Sequence, residues 1–187
     1  MTDPIASVPR PTERLILRRF EPANAADMHA YRGLPDVARY LYQAPLTLAD
    51  CERKIATVAP ATRWQEDGDS LLFAVGRPED TRILGEVVIT LTSAAARQTE
   101  IGWIFHPEFH GRGYALEAAR ALRDYGFTTL GAHRIFARLD ADNAASARLC
   151  ERLGMRREAH LIENDLTPEG AWGSEYIYAL LASEPRP

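Results

Sequence analysis

Gly111 and Gly113, on either side of Arg112, are the positions in this chain best suited to hold a ligand by its charge. They follow the run Trp103-Ile104-Phe105-His106-Pro107-Glu108-Phe109-His110 and precede Tyr114-Ala115. Glycine adopts positive φ and lets a ligand approach the backbone closely, so successive N–H groups can turn inward as an anion-binding concavity. A helix predicted to begin near Gly113 adds unpaired N–H donors and the positive end of its dipole. Such a site suits a diphosphate, and Arg112 supplies a cation. An ordinary glycine-rich strand-to-helix turn has the same spelling. No Lys-Ser/Thr pair follows the glycines, so this is not a P-loop, and Leu116 stands where the dinucleotide fingerprint needs a third small residue. Asp140, at the end of the next predicted strand, keeps a Rossmann-like site as an alternative.

A second constellation runs from Asn143 to Gly154. Asn143 is placed to cap a helix, and its side-chain amide can equally meet an amide-bearing ligand. Ser146, one turn on, either bonds local backbone or offers a hydroxyl to a departing group. Arg148 and Arg152 share a helix face, as solvated cations or as phosphate ligands. His106 and His110 are four apart, but Pro107 and the glycines argue for a loop, and no third ligand has a convincing position for zinc. No metal is expected.

The remainder of the composition sets limits. A length of 187 residues with 46% hydrophobic content fits one domain with a full core. A net charge of −4 without a basic run argues against a nucleic-acid binder and leaves room for a cationic amine. Cys51 and Cys150 are isolated, as reduced thiols in a cytoplasmic protein would be. No apolar stretch approaches the roughly 20 residues of a membrane span. Met1–Thr12, with Pro4, Pro9 and Pro11 and no apolar signal core, reads as a short tail before a single domain over 13–183.

The elements that must position these residues follow an α+β order without repeats. Leu15–Phe20 reads as a first strand, ended by Pro22. Asn24 is placed to cap a helix through Met28 and Tyr31, stopped by Gly33 and Pro35. A short turn spans Val37–Leu41, and Thr47 caps a helix bearing Leu48, Cys51, Ile55 and Val58. Strands are predicted over Ser70–Gly76, Ile83–Leu91 and Thr99–Phe105, with a polar, alanine-rich loop at 92–98. Gly113–Leu130 is a long helix whose Ala115, Ala118 and Ala119 permit close packing on a sheet. His133–Asp140 is a strand and Asn143–Leu153 a helix. Met155–Ile162 and Ser174–Leu181 make a closing strand pair, joined by Glu163–Gly173, a connection long enough to reach a site.

The glycine loop, the later Asn143-Ala144-Ala145-Ser146 and Leu149-Cys150-Glu151-Arg152-Leu153-Gly154-Met155, in this order with a strand between them, resemble the GNAT N-acetyltransferase superfamily. Thr12-Glu13-Arg14-Leu15, Gly85-Glu86-Val87-Val88, Thr99-Glu100-Ile101-Gly102-Trp103 and Tyr178-Ala179-Leu180-Leu181 are similar to its ribosomal-protein N-terminal acetyltransferase-like branch. The resemblance covers nearly the whole chain. It implies a mixed, mostly antiparallel twisted sheet flanked by helices and splayed at a wedge for acetyl-CoA. It places Trp103, Ile104 and Phe105 on the pantetheine arm, which bonds strand backbone as an added strand would. His110, Gly111, Arg112, Gly113, Tyr114 and Ala115 fall on the diphosphate, and Asn143, Ser146 and Arg148 on the cofactor. The chain departs from the family's pattern at His110, where Gln or Arg is usual, and at Cys150, where many members carry a tyrosine as acid.

For chemistry, the resemblance implies direct attack of a neutral amine on the thioester, with backbone N–H groups near Trp103–Phe105 holding the oxyanion. Glu100 and Asp165 compete as base, and Ser146 or water as acid for the thiolate. Arg39, Tyr40 and Trp172 are expected at the acceptor. The acceptor is a small-molecule or peptide amine, with a protein N-terminal α-amine expected, and the protein a monomer or homodimer without nucleic-acid or membrane partners. A non-catalytic acyl-CoA or nucleotide-binding module and a protein-interaction domain are the competing classes.

Overall fold

The computed structural model describes residues 7–61 and 63–186. Seven strands form one sheet: β1 (Ile16–Arg19), β2 (Ser70–Gly76), β3 (Ile83–Ser93), β4 (Gln98–Phe105), β5 (Arg134–Asp140), β6 (Arg156–Leu166) and β7 (Trp172–Leu181). Their order is β1-β2-β3-β4-β5-β7-β6, and every neighbouring pair is antiparallel except β4 and β5. Among the described residues there are five α-helices: α1 (Ala25–Arg32), α2 (Pro35–Ala38), α3 (Leu48–Val58), α4 (Tyr114–Thr128) and α5 (Ala144–Arg152).

Strand alternation divides the core in two. One face carries Leu71, Phe73, Val87, Ile89, Ile101 and Ile135, packed with Ala118, Ala119 and Leu122 of α4 and Cys150 of α5. The other carries Leu72 and Ala74, packed with Met28 and Tyr31 of α1 and Cys51 and Ile55 of α3. Small residues let α4 pack tightly on the sheet: Ala118 and Ala119 are fully buried, and a Cβ on Gly126 would lie 2.8 Å from Ile135 Cδ1.

Three sequence expectations are corrected. Strands β6 and β7 reach Leu166 and Trp172, so the expected long connection is a hairpin whose turn occupies only 167–171. The pairing survives register shifts between Arg157 and Ala159 and between Leu161 and Asp165, and such bulges blur the alternation by which a strand is read. Likewise β3 and β4 run to Ser93 and from Gln98, shortening the loop at 92–98. The expected turn at Val37–Leu41 is α2 followed by a 3₁₀ turn at Arg39–Leu41.

The expected tail lies partly outside the described residues. From Ser7 onward it packs on α4. Pro9 is buried, the Tyr125 hydroxyl donates to the Ser7 carbonyl (3.1 Å), and Thr12 Oγ1 donates to Glu117 Oε1 (2.5 Å).

A buried polar cluster pins α1 to β3. Glu86, 1% exposed, accepts from the Tyr31 hydroxyl (2.7 Å) and from Arg32 Nε (3.1 Å), and Arg32 is itself 8% exposed. Removing one partner leaves the other as an uncompensated buried charge. Glu86→Ala is therefore expected to cost about 3–5 kcal/mol of stability, read as a lowered urea midpoint with the m-value preserved.

Candidate active site

Strands β4 and β5 pair only at Gln98–Arg134, Thr99–Ile135 and Glu100–Phe136. Beyond Glu100 they part. β4 continues along β3 through Phe105 and β5 along β7 through Asp140. Among the described residues, the edge of β4 from Ile101 to Phe105 that faces β5 thus has no strand partner, which suits an extended chain with amide groups.

At the end of β4 the chain passes through a 3₁₀ turn (Pro107–Phe109) into the glycine loop. His110 Nε2 lies 3.0 Å from the Phe105 carbonyl oxygen and closes the loop onto the strand. Gly111 and Gly113 both have positive φ, +75° and +79°. Nothing lies within 4 Å of where a Gly111 Cβ would be, so the loop has open space before it. Among the described residues, no backbone N–H from Gly111 to Leu116 donates to a protein acceptor. These free donors, clustered where the α4 dipole is positive, fit a diphosphate. Arg14 fastens the loop from below, donating from Nη1 to the Arg112 carbonyl (3.1 Å) and from Nε to Glu117 Oε2 (2.7 Å), with its guanidinium 4.8 Å from the Tyr114 ring centre. Sequence reasoning missed Arg14 in this role, since 98 residues separate it from Arg112.

Asn143 does cap α5, its Oδ1 accepting from the Ser146 N–H at 3.1 Å. Its amide nitrogen remains for another partner. Across the wedge, Trp103 Nε1 donates to Ser146 Oγ at 3.2 Å. The hydroxyl oxygen is thereby engaged as an acceptor, while its own hydrogen is left to donate. Arg112 and Arg148 are exposed, and no ion pair neutralises either among the described residues. Ile104 packs its side chain with the α1–α3 cluster, so only its main chain can meet a pantetheine arm.

Cys150 is fully buried in the α4-side core, and burial pushes its thiol up to about 12. Such a thiol is a small hydrophobe. Cys150→Ala is expected to lower stability by about 1 kcal/mol and to leave turnover within the same order of magnitude in a steady-state assay.

The opposite face of the wedge is acidic. Register puts Glu100, Phe136, Arg138 and Asp140 on one face, with Glu175 paired to Asp140. Arg138 Nε sits 3.9 Å from Glu100 Oε1 and 3.8 Å from Glu175 Oε1. Burial raises the Glu100 carboxyl above its ordinary value, opposed by Arg138 and assisted by Glu175. Asn164 Nδ2 donates to Glu175 Oε2 at 2.5 Å.

Tyr42, in a left-handed conformation (φ 49°), reaches in after the 3₁₀ turn and donates its hydroxyl to the Ser174 carbonyl (3.2 Å). Burial, then the hydrogen bond and charge of Asp140, raise its hydroxyl pKa well above the ordinary range. Gly173 makes room for it: a Cβ there would lie 2.5 Å from the Tyr42 hydroxyl. Arg39 stacks on Tyr40, 4.4 Å to the ring centre, within electrostatic reach of Asp140. Asp165 is exposed, opposite Gly173 and within reach of Tyr42, and Trp172 is 64% exposed at the hairpin turn. Glu100 thus stands at the apex, and Asp165 at the rim. Arg138, Glu175 and Tyr42 are residues that sequence reasoning did not find.

The geometry has relatives. Residues 14–156 match the family described as Acetyltransferase (GNAT) domain. An uncharacterized N-acetyltransferase of Bacillus subtilis, YnaD, is 32% identical over 174 residues, spanning 92% of this chain and 96% of that protein. A spermidine N(1)-acetyltransferase of Vibrio cholerae is 31% identical over 152 residues, 80% of this chain and 83% of the relative. Among solved structures, an acetyltransferase (GNAT family) from Bacillus anthracis superposes with a TM-score of 0.81 at 31% identity, over 92% of this chain and 97% of the other. A spermidine N-acetyltransferase from Vibrio cholerae, solved with CoA and spermine, shares the fold at a TM-score of 0.78 and 22% identity, over 92% and 98%.

Proposed function

The chain belongs to the GNAT acetyltransferase family, and within it we propose that the enzyme transfers the acetyl group of acetyl-CoA to a primary amine carried on a cationic small molecule. The observation that carries this reading is the division of the wedge. Anion-binding donors and Ser146 occupy the α4–α5 face, carboxylates the other, and Glu100 stands where the strands part.

The cofactor's diphosphate rests on the Gly111–Leu116 amides and its arm runs along β4. The acceptor enters past Tyr42 and the carboxylates of Asp140 and Glu175, whose charges attract an ammonium and orient it. Glu100 relieves the reacting nitrogen of its proton, directly or through a water. The neutral amine attacks the carbonyl carbon, the oxyanion is held by backbone N–H groups of β4, and the nitrogen sheds its surplus proton to solvent as the tetrahedral intermediate collapses to the amide. As the C–S bond breaks, Ser146, fixed by Trp103, passes its proton to the thiolate and recovers one from solvent. Holding both substrates in line supplies much of the acceleration.

A spermidine-acetylating relative supports a cationic acceptor. A peptide-borne α-amine is the second reading, favoured by the exposed Trp172 and Leu166 beside Asp165, where a polypeptide would lie. The two separate in one assay of kcat/KM, with linear diamines and polyamines against short peptides with free N-termini. The cationic amines are expected to be better by about tenfold or more, and Glu175→Gln to erase that preference. Peptides preferred by the same margin would reverse the assignment.

A further inference from the structure

A cavity of about 160 Å³ lies at the closed end of the wedge, lined by Leu91 of β3, Thr99 of β4, Leu130 and Ala132 between α4 and β5, and by Trp64 and Arg97. Trp64, Leu130 and Ala132 belong to the core beneath α4. The loop carrying Trp64 is fastened to the turn between β3 and β4. The Gly68 N–H donates to the Leu91 carbonyl (2.7 Å), the Leu91 N–H to the Asp69 carbonyl (2.8 Å) and the Ala94 N–H to Asp67 Oδ1 (2.7 Å). Asp69 Oδ2 accepts from the Gln65 and Glu66 N–H groups at 2.7 and 2.9 Å. Both carboxylates are thus engaged in holding the wall.

Two polar residues of the lining are not so used. Thr99 is 1% exposed, and its hydroxyl has no hydrogen-bond partner among the described residues. Such a group is costly unless something accepts from it. Arg97 sits at φ 50°, its carbonyl accepting from the His133 and Arg134 N–H groups (2.8 and 3.3 Å). No acidic residue stands beside it among the described lining residues. An apolar cavity of about 150 Å³ holds one benzene ring, and a free hydroxyl beside an unmatched cation calls for an anionic acceptor. We propose that this cavity binds a small monocarboxylate with an aromatic or branched aliphatic body. Its occupant lies against the β4–β5 pairing from which the wedge opens, at Thr99, one residue from Glu100 and on the opposite face of the sheet.

Benzoate is the probe, titrated by calorimetry into the protein without acetyl-CoA or amine. One site with a dissociation constant of about 1 mM or tighter is expected, with a change in tryptophan emission that Trp64→Phe abolishes. Benzyl alcohol, which keeps the ring and lacks the charge, should bind about tenfold more weakly. Thr99→Val, which keeps the shape and removes the hydroxyl, should weaken benzoate by about tenfold. Arg97→Gln should weaken benzoate by a similar factor and leave benzyl alcohol unchanged. Ala132→Leu should fill the cavity and exclude both. Arg97 is exposed, so its variant remains informative if Ala132→Leu does not fold. No binding at about 10 mM benzoate, or binding untouched by these substitutions, would overturn the site. Benzoate displaced by acetyl-CoA or by a diamine would put the probe in the wedge and overturn it equally.

Discussion

Gly113→Val is expected to lower acetyl-CoA affinity by at least about tenfold, or 1.4 kcal/mol, in a protein that still folds. Gly113 is the residue before α4 and sits at φ +79°. A β-branched residue is a genuine outlier there, so the loop must either hold that strain or turn its amides away from the diphosphate. The alternative to strain is displacement, and both remove binding energy from the anion. The space a Cβ would enter is not crowded by protein, the nearest atom being Arg14 Nη2 at 3.5 Å. The core beneath is therefore untouched, and circular dichroism should show a cooperative melt. Undiminished affinity in calorimetry with a folded variant would remove the diphosphate from this loop.

Glu100→Gln should reduce kcat by roughly 10²-fold, the lower end of general-base contributions, with little change in acetyl-CoA affinity. Glutamine keeps the shape and removes the charge that accepts a proton. The pH dependence follows from the direction of the shift. A carboxyl raised by burial loses its charge as pH falls through that raised pKa, so wild-type kcat should fall on the acid side earlier than for an exposed glutamate. The variant should show no such limb. Its deficit should be largest below the acceptor amine's pKa and shrink above it, where solvent has already removed the proton. For a lysine-like amine, with a pKa of about 10.4, the deficit persists across neutral pH; for an α-amine at about 8 it narrows much sooner. Arg138→Gln should raise the Glu100 pKa further and move the acid limb upward. Asp165→Asn, at the rim, should act on acceptor KM more than on kcat. A silent Glu100→Gln beside an inactive Asp165→Asn would exchange the two roles.

The glycine loop's geometry and the α5 cap were legible because their determinants are local. Gly111, Gly113, Asn143 and Ser146 sit at helix starts, where spacing alone fixes which amides are free and which side chain can cap. The proposed acceptor side is assembled from residues far apart in sequence. Tyr42 follows α2, Arg138 and Asp140 end β5, and Glu175 lies on β7; the β5–β7 register sets Asp140 opposite Glu175, and Tyr42 joins them through the Ser174 carbonyl. Asp140 stood out in sequence for a dinucleotide site, and in the structure its charge lies close enough to the Tyr42 hydroxyl to raise its pKa. The hairpin was misjudged because two register shifts interrupt its alternation, and because Glu163 takes positive φ within the strand. Arg14 on the loop and Trp103 on Ser146 are likewise products of packing, which no local pattern announces.

The central claim is that both substrates meet in one wedge and the acetyl group passes directly from sulfur to nitrogen. The most direct measurement follows free thiol and acetylated amine together, from acetyl-CoA carrying a labelled acetyl group, with and without a diamine. Thiol release that requires the amine and equals the labelled N-acetyl product, with no label left on the protein, is the predicted result. Acetyl-CoA binding without turnover across the amine panel, or a stoichiometric burst of thiol before any amine is added, would contradict it.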